Sequence, residues 1–171
     1  MTAEQAKFLL NFFLPSVEQE AQTTKKVLAA IPEDRREYRP DPKGRTAMEL
    51  AWHIASSELW FLDGIANGEF GQEEEQPPSG LHTVADVIAW YDKTLPPAIE
   101  KLRALPGEKL TTSVSFFGLF NYPAVAYLSF LVVHSVHHRG QLSVYLRPMG
   151  SKVPSIYGGS ADEPFQMPAQ A

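Results

Sequence analysis

Apolar residues recur at intervals of three and four along four stretches of the chain, and polar, proline- and glycine-bearing segments separate them. That period is the signature of amphipathic helices. The first stretch runs from Thr2 to about Ile31, before Pro32, with Phe8, Leu9, Phe12 and Phe13 as its apolar positions. Thr2 and Gln5 have the spacing of a capping box, in which each side chain satisfies the other residue's backbone N–H. Pro15 removes a backbone donor and crowds the preceding turn, so a kink or a fresh start is expected there. Thr46, with Glu49 three residues on, opens the second helix. Met48, Trp52, Ala55, Leu59 and Leu62 form its buried stripe, and Asn67-Gly68 ends it. Thr83 and Asp86 start the third, with Val84, Val87, Ile88, Tyr91 and Leu95 on its apolar side. Pro96-Pro97 in its middle points to two pieces, ending by Pro106-Gly107. The fourth follows Asn121 or Tyr122, takes Pro123 at its first helical position and runs to Arg147, where Pro148 and Gly150 stop it.

The segments between are loops by composition. Residues 32–45 carry Pro32, Pro40, Pro42 and Gly44, and Gly71 to Gly80 holds three glutamates and two prolines. Leu110 to Phe120 is β-branched and aromatic in places, but one short strand has no evident partner, so it reads as an irregular lead-in. The tail after Gly150, with Pro154, Gly158-Gly159 and Pro164, reads as a loop lying over the bundle. Without an internal repeat or βαβ alternation, an all-α helical bundle is expected. The 171 residues suit one domain over 1–171, with the bundle at about 3–148 and the tail at 149–171.

Composition changes this picture in three places. Cysteine is absent, which excludes disulfides, thiolate nucleophiles and Cys-type zinc sites and leaves His, Asp and Glu as metal ligands. Fifteen basic residues against twenty acidic ones give a net charge of -5, and the densest basic run, Arg35, Arg36 and Arg39, is interrupted by Glu33, Asp34 and Glu37. No nucleic-acid partner is expected from that balance. The N-terminus lacks the basic start and apolar run of a signal peptide. The most apolar stretch, Ala124 to Val133, is roughly half the ~20 residues a span needs, so no membrane partner and a cytoplasmic location are expected.

Three of the five histidines crowd into His134-Ser-Val-His137-His138. On a helix, His134 and His138 lie about 40° apart around the axis and ~6 Å along it, the arrangement that offers two imidazoles to one ion. His137 makes an alternative pair with His134 but lies about 100° around from His138, so the three do not readily share one ion. Spacing alone does not choose between the pairs, although Leu131, Leu142 and Tyr145 flank the 134/138 line and would face inward with it. His53, in the second helix, can reach across as a third ligand, as bundle interiors allow. Taken alone, a histidine placed like His53 is more often a hydrogen-bonded core or boundary residue, and the His134/His138 pair could be solvent-facing. His82 reads as a loop residue. Gly140 costs roughly 1 kcal/mol in mid-helix, which close approach of another helix would explain better than clearance for a ligand. Gln141, one turn from His137 and His138, can orient an imidazole or cap a carbonyl. Glu49 and Glu58 have capping or surface explanations, so no general base stands out. Trp52, Trp60, Trp90 and Phe116 to Phe120 could line a substrate pocket, but most aromatic residues at helical spacing are core, and none is assigned to a site.

Three segments, GRTAMELAWHIASSELWFLDG around His53, HSVHHRGQLSVYLRPMG from His134 and VPSIYG after it, resemble the DinB/YfiT-like family of small metal-binding four-helix bundles. That family's signature is one histidine early in the second helix and a later H-x-x-x-H-R-G-Q-like run. Here His53, His134 and His138 meet it, followed by Arg139, Gly140 and Gln141. The resemblance implies an up-down-down-up four-helix bundle, a three-histidine site for one divalent ion such as zinc or nickel, His138 rather than His137 in that site, and a homodimer. It also implies a choice of activities: S-transferases or isomerases that use low-molecular-weight thiols, and metal-dependent hydrolases. The DNA polymerase of the same name is a different protein. The expected function is therefore a metal-dependent enzyme acting on a small-molecule substrate, a thiol S-transferase or a hydrolase in which the ion activates a thiol cosubstrate or water. A non-catalytic metal- or small-molecule-binding stress-response protein, and a metal-free structural bundle, stand against it.

Overall fold

Three reciprocal caps set the helix starts in the computed structural model, which describes residues 1–72 and 76–165. Helices α1 (Ala3–Leu28), α2 (Ala47–Asn67) and α3 (Val84–Arg103) are entered from Thr2, Thr46 and Thr83. Each threonine hydroxyl accepts from the backbone N–H three residues on. Each threonine N–H donates in return to the side chain of Gln5 (2.9 Å), Glu49 (2.7 Å) or Asp86 (2.9 Å). Gly68 closes α2 at φ 78°, a left-handed conformation that suits glycine, and its N–H returns to the Gly64 carbonyl. A short α4 (Gly107–Leu110), strands β1 (Ser113–Phe116) and β2 (Phe120–Pro123), and α5 (Tyr127–Leu146) complete the order. α2 packs against α3 and α5, and α1 packs against α5, α4 and α3.

The prolines do not break the helices. Pro15 lies within an unbroken α1, and Pro96 and Pro97 within an unbroken α3. The carbonyls each would orphan belong to Asn11, Asp92 and Lys93, all on exposed positions where water can meet them. The first helix also buries a different face from the one expected. Ala6, Leu10, Leu14, Val17 and Ala21 enter the core, whereas Phe8 and Phe12 are 68% and 65% exposed. On α2, Trp52, Ala55 and Leu62 are buried and Met48 and Leu59 partly so. On α3, Val84, Val87, Tyr91 and Leu95 are buried, with Ile88 partly so.

Residues 110–123 correct the all-α expectation. β1 and β2 form an antiparallel hairpin pairing Ser113 with Pro123 and Phe116 with Phe120, around the loop Phe117-Gly118-Leu119. The missing strand partner is the segment read as the start of the fourth helix. Pro123 ends β2, a turn of 3-10 helix (Ala124–Ala126) follows, and α5 begins at Tyr127, whose hydroxyl donates to the Val114 carbonyl at 2.8 Å. Among the described residues the fold is thus mostly helical, with one two-stranded sheet. Gly140 is exposed, and a Cβ there would meet nothing within 4 Å, so close approach of a neighbouring helix is not its explanation.

The tail beyond Gly150 lies along the C-terminal half of α1 and the end of α5. Ser151 Oγ donates to the Ala30 carbonyl, Lys26 reaches the Ser155 carbonyl and Glu163, and Arg147 pairs with Asp162. Glu73, Glu74 and Glu75 of the acidic linker, and the tail after Phe165, lie outside the described residues. Among those described, no helix is long and apolar enough to cross a membrane.

Candidate metal centre

His53 sits two turns into α2, and His134 and His138 stand on successive turns of α5, the helix packed against it. One nitrogen from each of the three rings falls within 4.8 Å of the others. Nε2 of His53 is 3.2 Å from Nε2 of His138. The ring centroids are 5.1 Å apart for His53 and His134, 4.5 Å for His53 and His138, and 4.4 Å for His134 and His138. Tetrahedral zinc, with bonds of 2.0–2.1 Å to imidazole nitrogen, sets its ligand atoms about 3.3 Å apart. The observed His53–His138 separation fits that value, so the donor set can hold such an ion.

Two features suit the His138 ring to ligation. Its Nδ1 is 3.0 Å from Gln141 Oε1, an acceptor, which keeps the proton on Nδ1 and leaves the Nε2 lone pair facing the centre. Gln141 Nε2 in turn donates to the Tyr145 hydroxyl at 3.4 Å. Burial pushes the His138 imidazole down to about 4, and the nearby His53, His137 and Arg45 push the same way, against the Gln141 hydrogen bond. The ring is therefore neutral at neutral pH, the form that ligates. On α2, the Ser57 hydroxyl donates to the His53 carbonyl.

The remaining sequence candidates separate cleanly. His137 is exposed and outside the three-nitrogen cluster, although its ring lies 4.7 Å from that of His138. His82 is an exposed loop residue whose backbone N–H donates to Asp86. Glu49 serves the α2 cap. Trp52 is core, while Trp60 joins the aromatic cluster with Phe61, Phe70 and Phe116.

Glu58 is not a surface residue; it is 2% exposed. The Thr24 hydroxyl donates to its Oε1 at 3.0 Å and the Tyr91 hydroxyl to its Oε2. Arg139, 1% exposed, donates to Thr24 Oγ1 at 3.1 Å and to the Glu20 carbonyl at 2.8 Å, and it pairs with the Glu20 carboxylate and the Tyr157 hydroxyl. Burial pushes the Glu58 carboxyl above the ordinary carboxylate range, while the neighbouring hydroxyls and the Arg139 charge oppose the shift. Sequence reasoning passed over this pair, yet a signal existed. Glu58 stands in the row Leu50–Ile54–Glu58–Leu62 and Arg139 in the row Leu131–Ser135–Arg139–Leu142–Leu146, each a charge inside an apolar stripe. Ionisable groups are retained in a core where they find hydrogen-bond partners.

The family model of the DinB family matches residues 5–167. The uncharacterized protein YrdA of Bacillus subtilis (strain 168) is 28% identical over 156 residues, covering 90% of this chain and 91% of that protein. The uncharacterized protein YjoA of the same organism is 28% identical over 132 residues, covering 74% and 82%. A crystal structure of a DinB-like protein from Bacillus cereus superposes with a TM-score of 0.72 at 29% identity, covering 85% of this chain and 95% of the other. The crystal structure of YjoA gives a TM-score of 0.65 at 23% identity, covering 82% and 93%, and is similar in fold.

Proposed function

The chain belongs to the DinB family, and from that premise we propose that it is a metal-dependent enzyme acting on a small molecule, a thiol S-transferase or a hydrolase, with His53, His134 and His138 holding one zinc or nickel ion. The observation that carries this reading is the convergence of three imidazole nitrogens from two facing helices within 4.8 Å. Three protein ligands leave a tetrahedral ion one open position, which distinguishes a catalytic site from a closed structural one. When bound, the ion supplies Lewis acidity that lowers the pKa of a thiol or of water toward neutrality.

The chain's own residues do the rest of the work. Gln141 sets the His138 tautomer, and burial keeps that ring unprotonated. The reacting sulfur of a transferase arrives with a low-molecular-weight thiol cosubstrate, because the chain has no cysteine. We read the long helices as an up-down-down-up bundle in one domain over 1–171, and the protein as a cytoplasmic homodimer without nucleic-acid or membrane partners. The exposed, stacked Phe8 and Phe12 rings support a contact between copies, and the net charge of -5 supports the absence of a nucleic-acid partner.

A second reading, a non-catalytic metal- or small-molecule-binding stress-response protein, draws support from the lack of a carboxylate in the cluster among the described residues. Elemental analysis of untagged protein beside a His53→Ala/His138→Ala variant tests the shared premise. About one ion per chain, lost in the variant, is expected. No metal in either protein after incubation with zinc and nickel would sink both readings. Thiol-dependent turnover of an electrophile, or hydrolysis, that disappears in His134→Ala together with the metal selects the enzyme. Full turnover in a metal-free variant rejects it.

A further inference from the structure

Two clefts of opposite character are each lined by a histidine of the cluster. One, of about 790 Å³, reaches His53 between Lys43, Arg45, Gln72 and Phe117. The other, of about 560 Å³, reaches His134 between Phe61, Phe116, Phe130 and Val133. Both reach the hairpin, where consecutive residues Phe117 and Phe116 line one cleft each. Phe117 holds φ 52°, a left-handed conformation rare for a bulky residue, and its ring stacks on Trp60 at 5.8 Å.

Among its described lining residues, the first cleft carries two uncommitted cations, Lys43 and Arg45. Among the described residues, neither the Lys43 nor the Arg45 side chain makes an ion pair or hydrogen bond. The one carboxylate among the described lining residues, Glu49, already accepts from the Thr46 N–H at 2.7 Å and lies 3.8 Å from Arg39. The segment bearing the two cations is held in place. Asp41 accepts from the Lys43 N–H at 2.8 Å, and the Tyr145 hydroxyl donates to the Arg45 carbonyl at 3.4 Å. The second cleft is walled by aromatic rings, and Val133 within it is 69% exposed.

We propose that the substrate is an amphipathic carboxylate, whose anionic head lies against Lys43 and Arg45 and whose aromatic or aliphatic body lies against Phe61, Phe116, Phe130 and Val133. The proposal rests on the reading of the histidines as the reactive centre, which places the reacting atom between the two ends. An anion on a positive rim gains from charge-assisted hydrogen bonds, and an apolar body gains from leaving water.

Calorimetric titration of the full chain, zinc-loaded and metal-free, with 4-phenylbutyrate, its neutral amide and butyrate decides the matter. The acid is expected to bind about tenfold more tightly than the amide, as one charged hydrogen-bonded contact supplies, and about tenfold more tightly than butyrate. Lys43→Gln/Arg45→Gln should abolish the preference for acid over amide without changing zinc content. Val133→Gln, at an exposed position, should shrink the advantage over butyrate and leave the acid preference intact. Equal binding of acid and amide to the native chain overturns the proposal. So does an acid preference that survives in Lys43→Gln/Arg45→Gln, because the carboxylate would then be seeking the ion rather than the rim. If zinc fails to bind but the metal-free chain keeps the acid preference, the metal reading falls and the substrate class stands.

Discussion

Gln141 decides which nitrogen of His138 faces the centre, and it does so with one hydrogen bond of 3.0 Å. Outer partners of ligating histidines are worth about 10- to 100-fold in metal affinity. Gln141→Leu is therefore expected to weaken zinc binding by that order in competition with a chromogenic chelator, while His137→Ala leaves it unchanged. A loss in His137→Ala equal to that in His138→Ala would mean that the alternative pair on α5 is the ligating one. Spacing could not make this choice, because His134 pairs as well with a residue three positions on as with one four positions on. The rotation of α5 against α2 is what groups His138, rather than His137, with His53 and His134. That rotation turns Leu131, Leu142 and Tyr145 inward along with the 134/138 row and leaves His137 exposed.

At the scale of elements, the parts legible in the sequence are those whose cause is local. Thr2/Gln5, Thr46/Glu49 and Thr83/Asp86 announce three helix starts because both halves of each cap lie within three residues. The prolines misled because their cost depends on what surrounds the orphaned carbonyl, and that is a tertiary property. Pro15 is exposed inside α1, so Pro15→Ala restores a helical N–H at a site without packing demands. Thermal unfolding should show a gain of about 1 kcal/mol or more, below the ~3 kcal/mol intrinsic difference because proline also restricts the unfolded chain. A loss of stability would mean that the restriction of the unfolded chain by Pro15 outweighs the missing helical N–H. The hairpin escaped for a different reason: its second strand, Phe120–Pro123, shares aromatic residues and a proline with a plausible helix start. The telling mark was Gly118, at φ 74° between two β-prone runs.

At the scale of the whole molecule, one buried polar network ties the elements together where the sequence shows only separate charges. Glu20 and Thr24 come from α1, Glu58 from α2, Tyr91 from α3, Arg139 from α5 and Tyr157 from the tail. Arg139 follows ligand candidate His138 directly, so α5 presents its imidazoles on one face and its anchor on another. Removing one partner of a buried pair typically costs about 3–5 kcal/mol, so Arg139→Met should destabilise on that order by chemical denaturation. Tyr157→Phe, which loses one hydroxyl at an exposed position, should cost about 1 kcal/mol or less.

The same network gives the fold a pH dependence whose sign follows from Glu58. Its carboxyl titrates above the ordinary value of 4.5 in the folded chain because burial disfavours the anion. Above that value the unfolded chain has released the proton while the folded chain still holds it. The folded state then binds more protons than the unfolded one, so stability falls as pH rises. The effect is complete only once the pH has passed through the folded-state value. Glu58→Gln keeps the shape and removes the titration. Denaturation from pH 4.5 upward should therefore show native stability declining relative to this variant as pH increases. A native chain that instead gains on Glu58→Gln over that range would mean that Arg139 and the surrounding hydroxyls outweigh burial, and that the carboxylate is held ionised in the core.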